Sequence, residues 1–181
     1  MARVPYPDPA NQSEEIRDRL RRMGSLNVTR MMSHAEGPML AYSKLGTQLL
    51  LRGKLDPVVR EAVILRIGQL CNSDYEWHQH TSVARAVGMP EEMLQTIADG
   101  QIERLGEAYR AAIGIAEEIK EAGGASADTF TRARAHFSTE ELVELCLVAG
   151  YYIMTAGLLI SFGIEIEDSA PLGASMQAAR T

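Results

Sequence analysis

A carboxylate at Glu61 is followed by Ser73, Glu76 and His80 in the spacing Glu-x11-Ser-x2-Glu-x3-His. A helix turns by about 100° per residue, so in a helix starting near residue 73 the last three side chains fall within roughly 60° of one another. An imidazole and two carboxyl groups beside a hydroxyl can run general acid–base catalysis. His80 is the natural proton carrier, because an ordinary imidazole titrates near ~6.5. Glu61 can hold that imidazole in one tautomer, as a carboxylate does for the histidine of hydrolases. Glu76 can serve as a second acid or base, its pKa raised if the pocket is dry. Ser73 and Tyr75 can donate hydrogen bonds, and Trp77 can line a pocket or pack the core. An anionic substrate would need a cation, for which Arg60 and Arg66 stand nearest in sequence.

The same residues have plainer readings. Ser73-Asp74-Tyr75-Glu76 matches the Ser-x-x-Glu capping box, in which Ser73 and Glu76 only satisfy backbone amides at a helix start. Glu61 can pair with Arg60 or Arg66 on its own helix. Glu76 and His80 could share a metal ion at i, i+4. However, no HExxH pattern occurs and His34 and His136 belong to no motif with them, so no metal site is expected. His78, two residues before His80, faces away from it.

The elements that must position these residues read as helices. Ser13 opens an amphipathic segment over 13–23. A second helix covers 37–52 and closes at Gly53. Asp56-Pro57 is a start signal, Asp as N-cap and Pro at the first helical position. The helix that follows runs to about Cys71 with Val63, Ile64, Ile67 and Leu70 at three-and-four spacing. Asn72-Ser73 interrupts it and begins the next helix, which runs to Val87 and stops at Gly88. Further helices are predicted over 90–99, 104–122 and 127–135. The capping box at Ser138-Thr139-Glu140-Glu141 opens a long helix to about Phe162. Convincing strand patterns are lacking, so the chain is expected to form one all-α domain of seven to nine helices with its core over about 13–165. A polar, proline-rich arm (1–12) precedes it, and a small, polar, flexible tail (169–181) follows.

Bulk properties narrow the function. The chain has 181 residues, 46% hydrophobic and 23% charged, enough for a substantial core. Its net charge is −6 and it has no basic block, which argues against nucleic-acid binding. Cys71 and Cys146 form no CxxC and are expected to be reduced, buried small hydrophobes. No apolar signal region occurs at the N-terminus, so a cytoplasmic protein is expected. Leu145–Ile164 is 20 residues without a charge, the length of a membrane span. Acids flank it on both sides, however, where a span would carry Lys or Arg. The expectation is therefore a central helix buried all round, in part at a subunit interface, with no membrane partner.

The blocks Arg60-Glu61-Ala62-Val63-Ile64-Leu65-Arg66 and Asp74-Tyr75-Glu76-Trp77-His78-Gln79-His80 together resemble the carboxymuconolactone decarboxylase family, which includes alkylhydroperoxidase D-like proteins. The resemblance continues through Ala84–Pro90 and resumes over Glu141–Gly163, covering most of residues 35–165. It implies an all-helical homo-oligomer (dimer, trimer or hexamer) acting on a small molecule. Redox members have a CxxC with a glutamate before it and a histidine after it. That glutamate falls on Glu61 and the histidine on His80, while the two cysteines fall on Ser73 and Glu76. Neither can form a sulfenic acid or a disulfide, and Cys71 is out of position. The resemblance therefore implies the decarboxylase branch, which needs no cofactor: lyase chemistry on a small carboxylated or lactone-like metabolite. The readings kept beside it are a peroxidase using Cys71 and a non-catalytic ligand-binding oligomer.

Overall fold

The computed structural model describes residues 2–173. Among them are nine α-helices and no strand, so the chain is all-α as expected. The helices are α1 (Glu14–Arg22), α2 (Asn27–Met32), α3 (Glu36–Leu51), α4 (Pro57–Leu70), α5 (Asp74–Val87), α6 (Glu91–Ala98), α7 (Glu107–Ala122), α8 (Ala127–Arg134) and α9 (Thr139–Phe162). The start signals behave as their chemistry demands. Asp56 accepts from the amides of Val58 and Val59, and Ser138 and Glu141 form a reciprocal capping box. The sequence pattern did not reveal α2. It has six residues, no side-chain cap and two β-branched positions, so neither a start signal nor a periodicity marks it. Residues 104–106 also differ from expectation: Arg104 ends a 3-10 turn, and α7 begins only after Gly106.

The centre of the bundle is α4, packed by α5, α7 and α9. Ala62, Val63, Ile64, Leu65 and Ile67 have no exposed surface. Burial of each larger aliphatic side chain there is worth roughly 1.5–3 kcal/mol. A helix buried on all sides should be apolar all round, yet α4 also buries Arg60 and Glu61. These two lie on the side turned to the functional cavity.

Within one protomer the helix over Leu145–Ile164 is not buried all round. α9 is long and apolar enough to cross a membrane by length and composition, but it packs one face on α4 and α7. The opposite face, with Val143, Leu147, Met154 and Ile160, is exposed. α4 occupies the centre, so α9 can bury only one side.

The α4–α5 corner sets the geometry of the site. Asn72 adopts a left-handed conformation (φ 54°), which Asn tolerates better than most side chains. The Ser73 amide donates to the Gly68 carbonyl (2.8 Å) and the Asn72 amide to that of Gln69 (3.0 Å). This is a Schellman ending. Its last residue, Ser73, is also the N-cap of α5, so one helix stops and the next starts without a linker. The small helices α1 and α2 build separate apolar clusters, around Ile16, Leu20 and Met39 and around Val28, Met31, Tyr75 and Leu159. They wall the cavity on the side away from α4. The arm over 1–12 is tied to its own chain, the Arg3 amide donating to the Phe162 carbonyl at 2.8 Å.

Candidate active site

Glu61 is fully buried on α4, and both its oxygens are used. The Arg60 guanidinium donates from Nε to Oε1 (3.0 Å), and His80 Nδ1 lies 2.7 Å from Oε2. A carboxylate only accepts, so the proton of a neutral His80 stands on Nδ1 and Nε2 is left as the basic nitrogen. The ring is fixed from the side by the Tyr152 ring, edge to face at 4.7 Å. His80 Nε2 has no hydrogen-bond partner among the described residues.

Glu76 lies one helical turn before His80, on the same face of α5. It is 2% exposed, and neither carboxyl oxygen has a hydrogen-bond partner. Burial without partners penalises the charged form, and the carboxyl is pushed up to about 8, opposed only by the hydroxyl of Ser73. The capping-box reading fails for Glu76: the Ser73 hydroxyl accepts from the Glu76 amide (3.4 Å), but the carboxyl does not reach back. Ser73 itself is therefore a cap, set behind the cavity.

Glu76, His80 and Arg60 face a common cavity of about 460 Å³ between α2–α3 on one side and α4, α5 and α9 on the other. Its wall is mostly apolar and aromatic. Tyr42 and Tyr151 stack at 4.4 Å, and the hydroxyls of Tyr42 and Thr155 lie 3.0 Å apart. Gly46 makes this possible, since a Cβ there would run into the Tyr151 hydroxyl. Burial raises the phenols of Tyr42 and Tyr151, which remain neutral donors.

The structure thus brings Glu61, Glu76, His80 and Arg60 together and separates the other candidates. Tyr75 lines the cavity, but its hydroxyl is occupied by a hydrogen bond to Glu167, so it is not free to bind substrate as expected. Trp77 corrects another expectation. One residue past Glu76 on the helix, its side chain swings to the main core and does not line the cavity. Arg66 pairs with Glu117 (2.7 Å) on α7, away from the cavity. Neither Cys71 nor Cys146 lines it, and burial pushes both thiols up. Among the described residues no set of three His, Cys, Asp or Glu side chains could hold a metal ion.

Residues 38–118 match the model of the carboxymuconolactone decarboxylase family. The match includes both blocks around Glu61 and His80. Solved structures extend the likeness of fold to the whole chain. A Ralstonia eutropha JMP134 protein described as an alkylhydroperoxidase AhpD core and uncharacterized peroxidase-related protein superposes with a TM-score of 0.83 at 17% identity, covering 97% of this chain and 96% of that one. A putative antioxidant defence protein AhpD from Agrobacterium tumefaciens gives 0.66 at 20% identity, over 76% of this chain and 96% of its own. The debrominase Bmp8, a cysteine-to-alanine variant in complex with 2,3,4-tribromopyrrole, gives 0.72 at 13% identity over the full length of both. At such identities the likeness is one of fold. No curated protein matches the chain. The chain thus has the AhpD-like all-α fold and a match to the family model over residues 38–118, and its resemblance to redox members sets Ser73 and Glu76 at the positions of their CxxC.

Tyr151 and Tyr152, which the sequence offers as core or pocket residues, line the cavity, and sequence reasoning missed two others. Tyr42 comes from α3, outside the blocks around Glu61 and His80. Gln79, between Glu76 and His80, is buried in the same wall, but an amide gives no catalytic signal.

Proposed function

We propose that the cavity performs acid–base lyase chemistry, decarboxylation in particular, on a small carboxylated or lactone-like metabolite without a cofactor. The observation that carries this reading is Glu76. A carboxyl pushed up to about 8 is mostly protonated at neutral pH and can deliver that proton inside a mostly apolar cavity. Its neighbour His80 has one nitrogen fixed by Glu61 and the other free. Arg60 gives only Nε to Glu61 and lines the cavity, so its terminal nitrogens are offered to a substrate anion.

In such a reaction the bond between the carboxylate carbon and its neighbour breaks. Its electron pair passes into a conjugated carbonyl as an enolate, and carbon dioxide leaves. The neutral Glu76 carboxyl hydrogen-bonds the developing enolate oxygen. A proton then reaches carbon from Glu76 or from His80, and solvent replaces it, so the net change is one proton taken up per carbon dioxide released. The cavity volume suits one small ring. The relatives described as peroxidase-related or antioxidant suggest thiol chemistry. Against it, Cys71 and Cys146 lie outside the cavity wall with thiols held toward the protonated form.

The test is carbon dioxide release from a panel of carboxylated γ-lactones. Glu76→Gln and His80→Ala should each lower turnover on the order of 10²-fold or more. Turnover by both variants at the wild-type rate would sink the proposal.

A further inference from the structure

The segment over residues 165–173 gives the cavity part of its wall, through Ala170, Pro171 and Leu172. Of the tail expected over 169–181, the described part, 169–173, lies against its own chain, and residues 174–181 are outside the described residues. The segment is held by polar groups. The Gln79 side chain donates to Glu167 Oε2 (2.7 Å) and accepts from the Leu172 amide (2.7 Å), so both ends of one buried amide grip it. Glu167 Oε1 also accepts from the Tyr75 hydroxyl and the Asn27 amide, and Asn27 Nδ2 donates to the Glu165 carbonyl (3.0 Å). At the far end the Gly173 backbone rests on the backbone of Ser82 and Val83, so closely that a Cβ could not fit. Most of the fold is held by interlocked apolar side chains. This segment is held by hydrogen bonds that water can replace, and such contacts open at low free energy.

We propose that residues 165–173 are a strap that opens to admit substrate and closes to exclude water, with Gln79 as its latch on the catalytic helix. Substrate entry and a dry reaction space make opposite demands on the cavity, and a movable strap meets both. The inference rests on the reading above only in taking this cavity as the site. Gln79 is a positioning residue: it sits between Glu76 and His80 in sequence and touches neither the proton carriers nor the cavity centre through a reactive group. Strap closure also supports the high titration of Glu76. The titratable and charged groups near that carboxyl are Tyr42 on α3, Arg60 and Glu61 on α4, Cys71 behind it, Tyr75 and His80 on α5, and Tyr151 and Tyr152 on α9. The strap itself brings Glu165, Glu167 and Asp168, with Glu167 bonded to Gln79 and Tyr75, so opening would both hydrate Glu76 and carry acidic charge away from it, and both effects lower its midpoint.

Amide hydrogen exchange of the strap and a carboxyl-detected NMR titration of Glu76 test this on the full chain, neither needing turnover. In the wild type the Leu172 amide should exchange at least tenfold faster than the amides of α4, by an opening smaller than global unfolding. Gln79→Ala should speed it at least a further tenfold and lower the Glu76 midpoint by one pH unit or more. Gly173→Ala, which removes no hydrogen-bonding group, should do the same by crowding the strap off α5. Exchange of strap and α4 at a single rate in the wild type would make the segment a fixed wall and overturn the proposal. So would a Glu76 midpoint unmoved in a variant whose strap has lost its protection. Failure of the lyase reading would instead appear as unchanged turnover in Glu76→Gln and His80→Ala.

Discussion

Two carboxylates at the edge of one cavity are buried almost equally and treated in opposite ways. Glu61 has no exposed surface and Glu76 has 2%. Glu61 receives a guanidinium and an imidazole, one on each oxygen; Glu76 receives nothing on either. The neighbours of each follow from its place on a helix. Glu61 sits in the second turn of α4, beside Arg60 and across from the second turn of α5. Glu76 sits in the first turn of α5, where the corner at Asn72 and Ser73 turns its side chain inward. Burial alone therefore does not assign a role. The partnered carboxylate orients a histidine, and the unpartnered one stores a proton.

Three measurements would break or sharpen this contrast. The largest effect should come from Glu61→Gln, which leaves the buried Arg60 cation without its ion-pair partner. Urea unfolding should show a loss of about 3–5 kcal/mol, the range seen when one member of a buried pair is removed. A loss near zero would mean that the two carboxylates are not so different. Next comes Glu76→Gln. The Glu76 carboxyl titrates at about 8 when folded and near 4.5 ordinarily. Its contribution is fully present below pH 4.5, where both states hold the proton. Between 4.5 and 8 the unfolded chain gives up a proton that the folded chain keeps, so stability falls as pH rises through that window. At about 1.4 kcal/mol per unit, the deficit above pH 8 is at most on the order of 5 kcal/mol. Glu76→Gln should remove it, giving a variant more stable than wild type at pH 9 and nearly equal to it at pH 4. Equal stability curves over the whole range would show that Glu76 is hydrated or paired in solution. The smallest effect is that of Ser73→Ala. With an oxygen-to-amide distance of 3.4 Å the cap is a long one, and its loss should cost about 0.5–1 kcal/mol in thermal or urea unfolding. It should leave the Glu76 midpoint slightly higher, because the only group lowering it is gone.

Much of this was legible before any coordinates. Helix starts are chemical events within four residues, so Asp56, Ser73 and Ser138 could be read directly, and the face shared by Glu76 and His80 follows from helical pitch. Trp77 and Tyr75 were legible as residue types but not as positions. A rotation of 100° per residue carries Trp77 off the cavity, and the partner of Tyr75 lies 92 residues away at Glu167. The strap was illegible for a related reason: a short run of small residues has no periodicity, and only contact with α5 gives it a place.

By itself, then, the sequence determined an all-α chain, the junction of α4 and α5, and a glutamate and a histidine in register across it, because these depend on local turns and on spacing along one helix. Only the tertiary structure decided which carboxylate is paired and which is bare, which arginine meets the cavity, and what completes its wall. Those outcomes depend on what residues distant in the chain bring to the same few ångströms, and no local pattern encodes that.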